Sequence, residues 1–204
     1  MSELLSFAQL GVRHILDVAA LDHVLFLLAL AAVHRFRDGR DARDMLWVVT
    51  AFTIGHSVTL ALVVTGAIDL PSKVVEFLIP VTIVVTGIEN LMVRDRARAP
   101  WRGRYRPVLA GAFGLVHGAG FAAYLKALFV ERVAIPLLGF NLGIELGQLA
   151  VLAGAAAALT LLDAAIGASP AATSRRSAQR LRTVSVSILI VGVAAQWAVE
   201  RTPW

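Results

Sequence analysis

Six long apolar runs separated by short polar blocks set the pattern of this chain, at about Leu21–Val33, Met45–Gly66, Val74–Val93, Pro107–Leu128, Ile135–Ile166 and Val184–Val199. A bilayer core about 30 Å thick takes about 20 mainly apolar residues per crossing helix. Five of the runs approach or exceed that length. The first is shorter and is entered from a second helical stretch near Leu4–Ala19, so residues 1–20 read as an interfacial or re-entrant helix. The pattern predicts an all-α polytopic membrane protein, a six-helix transmembrane bundle forming one domain over residues 1–204.

The polar blocks alternate in charge. Arg35, Arg37, Arg40 and Arg43 follow the first run, Arg94, Arg96, Arg98, Arg102, Arg104 and Arg106 the third, and Arg175, Arg176, Arg180 and Arg182 the fifth. The remaining connections and the termini hold only Arg13, Lys73, Lys126, Arg132 and Arg201. Basic loops face the cytoplasm, which places all three arginine blocks inside and both termini outside. Residues 167–182, with Pro170 and several Ala, Ser and Thr, read as a cytoplasmic linker.

Composition supports that picture. Of the 204 residues, 58% are hydrophobic and 16% charged, against about 25% charged in soluble domains. The net charge of +5 is carried mainly by these topological blocks, so nucleic acid is not an expected partner; the lipid bilayer is, and a homo-oligomer is compatible with the sequence. The start of the chain has no basic residue before Arg13 and carries Glu3, unlike a signal peptide, so the first helix is expected to stay in the mature protein. The expected location is the inner membrane of a bacterium. Cysteine is absent, so a bound metal would rely on imidazole, carboxylate, amide or water.

The chemistry lies in the polar residues set at depth. His14, Asp17, Asp22 and His23 stand at the mouth of the first run. At a helical rise of 1.5 Å per residue, His56 and His117 fall near the middle of the second and fourth runs. Thr53, His56 and Ser57 share one helical face. On the fifth run Asn141, Glu145 and Gln148 form a polar row, opposite Gly139, Gly143 and Gly147, whose spacing admits a close helical neighbour. Glu89 and Asn90 lie toward the inner end of the third run, as an ion way-station or a capped helix end. His34, beside Arg35, reads as an inner interface residue. Ionisable groups at such depth are costly and need partners, and a shared ion would supply one. Imidazole with carboxylate suits nickel, cobalt, zinc, copper or iron. The layout suggests two tiers, His14, Asp17, Asp22 and His23 at the outer mouth, then His56, His117 and Glu145 at mid-depth, with Ser57, Glu89, Asn90, Asn141 and Gln148 in support.

The segments Gly11–Leu28 (with Asp-His-Val-Leu-Phe-Leu-Leu), Phe52–Leu60, Glu89–Asn90, Phe113–Phe121 and Phe140–Gln148 together resemble the HupE/UreJ family. These are accessory membrane proteins of hydrogenase and urease systems regarded as nickel permeases. The resemblance implies that His14, Asp22, His23, His56, His117 and Glu145 are the functional set and that nickel or cobalt is the substrate. Two other readings compete. An intramembrane hydrolase would hold zinc with the same ligands and use Glu145 or Asp22 to activate water, and a structural subunit would use its polar residues only to lock helices together.

Overall fold

A computed structural model describes residues 2–17, 21–36, 39–93, 105–128, 133–168 and 175–204. Among them lie seven helices and no strand: α1 (Glu3–Leu16), α2 (Leu21–Ala31), α3 (Gly39–Val64), α4 (Ser72–Met92), α5 (Tyr105–Leu128), α6 (Ala134–Gly167) and α7 (Arg175–Glu200). Helices are what an apolar chain must form in lipid, where backbone groups left without partners have no water to turn to. The apolar runs are therefore helical, and turn chemistry marks where they stop. At the end of α3 Gly66 adopts φ +76°, its N–H donates to the Val63 carbonyl and that of Ala67 to the Leu62 carbonyl. That pairing closes the helix and needs the left-handed conformation glycine adopts most easily.

Among the described residues four helices are long and apolar enough to cross a membrane, within Asp41–Val64, Ser72–Met92, Ala134–Gly167 and Ser177–Glu200. A fifth crossing arises if α1 and α2, which meet at 70°, make one broken span. The expected count of six adds α5, a helix of 24 residues packed against α3 and α4. The chain is thus an all-helical integral membrane protein.

Packing fixes the helix directions. α1 and α6 run parallel in close contact: a Cβ placed on Gly143 would lie 2.0 Å from the Ala8 carbonyl oxygen, one on Gly139 2.5 Å from that of Leu4, and one on Gly147 2.9 Å from Ile15 Cβ. The glycine row does admit a neighbour, and that neighbour is α1. The helix near the start of the chain is accordingly packed lengthwise on α6 rather than apart from the bundle at an interface. α3 and α5 are also parallel, with the His56 carbonyl oxygen 2.2 Å from where a Gly118 Cβ would stand. α4 runs antiparallel to α7, from the Phe77–Trp204 ring contact at one end to Arg180 on the Leu91 carbonyl at the other (2.7 Å).

Among the described residues, these directions bring Arg35, Arg106, Arg180 and Arg182 to one end. Arg106 pairs with Glu89 at 2.5 Å and donates to Asn90 Oδ1 at 2.6 Å. Arg182 pairs with Asp163 at 3.0 Å and donates to the His34 carbonyl at 2.9 Å. Arg35 bonds Gln179. Arg37, Arg94, Arg96, Arg98, Arg102, Arg104, Arg132 and Pro170 lie outside the described residues. The connection read over residues 167–182 is shorter than expected, because α7 is already helical from Arg175. Its polar first turns are not loop: Arg180, Arg182 and Thr183 turn inward and donate to carbonyls at the ends of α4 and α2.

Candidate metal centre

The 70° bend between α1 and α2 positions the site. His14 occupies the last turn of α1 and His23 the first turn of α2, so the bend brings together two imidazoles that are nine positions apart. His56, about two-thirds of the way along α3 and fully buried, comes in beside His14 and His23. One nitrogen from each of His14, His23 and His56 lies within 4.8 Å of the other two. Ring centroids are 4.8 Å apart for His14 and His23, 6.1 Å for His23 and His56, and 6.5 Å for His14 and His56. His14 Nε2, His23 Nε2 and both nitrogens of His56 are buried with no hydrogen-bond partner in the protein. Buried polar atoms are ordinarily paired, so bare nitrogens gathered at one point mark a place prepared for something else.

Asp22 sets the orientation of His23. Its Oδ1 accepts from the His23 backbone N–H at 2.9 Å and lies 3.1 Å from His23 Nδ1. A carboxylate can only accept there, so Nδ1 carries the ring proton and Nε2 presents its lone pair. This carboxylate–imidazole pairing fixes the tautomer of metal-binding histidines. Asp22 Oδ2 in turn lies 3.6 Å from Arg201 Nη1, a residue that sequence reasoning left among the topological charges.

His117 on α5 stands behind the three, its centroid 5.1 Å from that of His23. Its Nε2 lies 3.0 Å from Thr82 Oγ1, and that hydroxyl donates to the Ile79 carbonyl at 2.7 Å. A hydroxyl has one proton to give, so toward His117 it accepts. His117 Nε2 is then protonated, and the lone pair is on Nδ1, which is buried without a partner. Aromatic rings close the compartment: Phe121 lies 4.0 Å from His14 by centroid, with Phe140 stacked on it, and Phe26 and Phe52 flank His117. Apolar walls of this kind keep water and competing ligands out.

The two-tier layout is therefore corrected. His14 and His23 are not a separate outer station; they join His56 in one group. Depth counted by rise along a straight helix misplaces them, because the first span is bent between them. Asp17 caps the end of α1 and is exposed, Glu145 is half-buried on α6, and neither belongs to the three-histidine group. Ser57 Oγ donates to the Thr53 carbonyl of its own helix at 2.7 Å. Gln148 Oε1 accepts from Thr53 Oγ1 at 2.8 Å, which ties α6 to α3 one turn from His56. Asn141 Oδ1 is buried without a partner. Glu89 and Asn90 belong to the arginine end: Glu89 accepts from Tyr105 and Arg106, and Asn90 Nδ2 donates to the Ala29 carbonyl at 2.8 Å. That is a helix-locking network, which favours the capped-end reading over the way-station. His34 is buried at the same end, its Nδ1 3.9 Å from Asp41.

The family model described as HupE / UreJ protein matches residues 1–201 of the 204. The chain belongs to the HupE/UreJ family. No curated protein and no solved structure matches it. Membership covers every helix of the bundle, including α7 and the Arg201 contact.

An imidazole trio with lone pairs exposed to one point fits a borderline transition metal, including nickel, cobalt and zinc. Imidazole nitrogens about 2.0–2.1 Å from a single ion stand about 3.4 Å apart in tetrahedral geometry. Here the nitrogens lie up to 4.8 Å apart, wider than that spacing by at most about 1.4 Å.

Proposed function

We propose that this HupE/UreJ protein is a membrane permease for a divalent transition-metal ion, nickel or cobalt, in the inner membrane of a bacterium. The chain crosses six times, with α1 and α2 forming one broken span, both termini outside and the arginine blocks inside. His14, His23 and His56 bind the ion within the bundle, His117 supplies a further nitrogen, and Asp22 orients His23.

The observation that carries this reading is the placement of bare imidazole nitrogens at a break in a span. Transporters place substrate sites near mid-depth where a helix is discontinuous, because irregular backbone inside a membrane is tolerated where it lines a cavity or is covered by protein. The family's association with nickel- and cobalt-related accessory functions supports the choice of ion. Ligands must be deprotonated to bind, so loading displaces any proton held on these nitrogens. The test is uptake of labelled nickel and cobalt by cells lacking their own importers. Uptake above the empty-vector level is expected, and its loss in His56→Ala; equal uptake with and without the protein would refute the permease.

The hydrolase reading draws on the same trio, since three histidines with an open position are also a catalytic zinc arrangement. It further requires a carboxylate free to activate water, and Asp22 is occupied by His23 and Arg201 while Glu145 stands outside the group. Stoichiometric zinc retained through mild chelation would favour the enzyme, and exchangeable metal the permease.

A further inference from the structure

The carboxylate of Asp22 is divided between two demands. Oδ1 holds His23, and Oδ2 faces the guanidinium of Arg201 at 3.6 Å. Arg201 follows the last helical residue of α7, its N–H donating to the Trp197 carbonyl at 3.0 Å, and its guanidinium lies 5.6 Å from the centroid of the Trp197 ring. The adjacent acid, Glu200, accepts from Gln196 through Oε1 at 2.8 Å. Asp22 is 13% exposed at the side chain and Arg201 33%, so the cation has solvent on one side and the buried site on the other. It can leave without being drawn through the protein.

Resting on the permease reading, we propose that Arg201 is a counter-cation that holds Asp22 while the site is empty and competes with the incoming divalent ion for that carboxylate. In the empty site Asp22 and Arg201 cancel. An ion bound to neutral imidazoles brings two positive charges, and Asp22, the carboxylate paired with His23, is already neutralised by Arg201. Loading is then favoured when Arg201 swings away from Asp22, and its return raises the energy of the loaded site and expels the ion. The aromatic face of Trp197 gives the guanidinium a resting place near the carboxylate. Arg201 is thus a positioning residue. It touches no metal, and it sets the affinity of the site through Asp22 and His23.

The experiment is titration of the purified full chain with Ni2+ and with Co2+, paired with uptake kinetics. Arg201→Gln removes the competing charge, and affinity should rise at least tenfold: a unit charge about 10 Å from a divalent ion at an effective dielectric of about 20 is worth roughly a hundredfold or more, part of which solvent screens at the 33%-exposed side chain. In uptake the half-saturating concentration and the maximal rate should both fall, because tighter binding slows release. Arg201→Lys should stay near wild type. Trp197→Leu, which loosens the guanidinium without removing it, should shift affinity in the same direction by a smaller factor, and gives a second reading if Arg201→Gln does not fold. A purely structural arginine would lower the amount of folded protein and leave affinity where it was. Wild type that binds metal with Arg201→Gln, or failing that Trp197→Leu, unchanged overturns the counter-cation alone. Wild type that binds neither ion overturns the permease with it.

Discussion

Two buried polar regions of this bundle are built on opposite terms. At the arginine end, Glu89, Asn90, Tyr105, Arg106, Arg180, Arg182 and Asp163 meet one another or backbone carbonyls. In the imidazole compartment His14, His23, His56 and His117 each keep at least one buried nitrogen with no protein partner. Both regions carry the cost of removing polar groups from water. The first offsets it with ion pairs and hydrogen bonds between its own groups, including the Arg182–Asp163 pair at 3.0 Å. The second leaves imidazole nitrogens without a protein partner, and on the permease reading proposed above an ion completes it. Burial of a polar residue within a membrane bundle therefore says little about function until its partners are counted.

The contrast can be broken most forcefully at the arginine end. Arg106→Ala strands Glu89 and Asn90, and loss of one member of a buried ion pair costs about 3–5 kcal/mol. Thermal unfolding in detergent should show that loss, with part of it recovered in the double variant Arg106→Ala/Glu89→Ala. Nickel affinity of the protein that remains folded should stay at wild type. A change in affinity of tenfold or more would mean that the two regions are not separate.

A smaller effect sharpens the other side. Thr82 selects the His117 tautomer that leaves Nδ1 bare, so Thr82→Val should free His117 Nε2 from its partner and weaken nickel binding several-fold, on the scale of about 1 kcal/mol for one hydrogen bond. Thr82→Ser, which keeps the hydroxyl, should restore it. Equal weakening in both variants would point to packing rather than to the ring proton.

Much of this was legible in the sequence, for identifiable reasons. The helical class and the gathering of arginines follow from long apolar runs and the blocks between them, and His14, Asp22, His23, His56 and His117 stand out because such groups are costly in an apolar segment. The glycine row of α6 announced a close contact, though its partner α1 could be known only from the fold. What misled was the assumption that depth follows position along a straight helix. The bend between Leu16 and Leu21 joins His14 to His23 and His56, and leaves Asp17 and Glu145 outside the group. The pairing of Arg201 with Asp22 and the fixing of His117 by Thr82 were not legible, since each joins residues far apart in the chain through helix neighbours that no local pattern specifies. The polar start of α7 read as linker because its inward arginines find carbonyl partners only in the folded bundle.

The central claim is that an ion completes the imidazole compartment, and X-ray absorption at the nickel edge of the loaded protein tests it most directly. The account predicts imidazole scattering from at least three histidines in the wild type, reduced by one ring in His14→Ala, in His23→Ala and in His56→Ala. Nickel surrounded by oxygen alone, with a spectrum unchanged across those three variants, would contradict it.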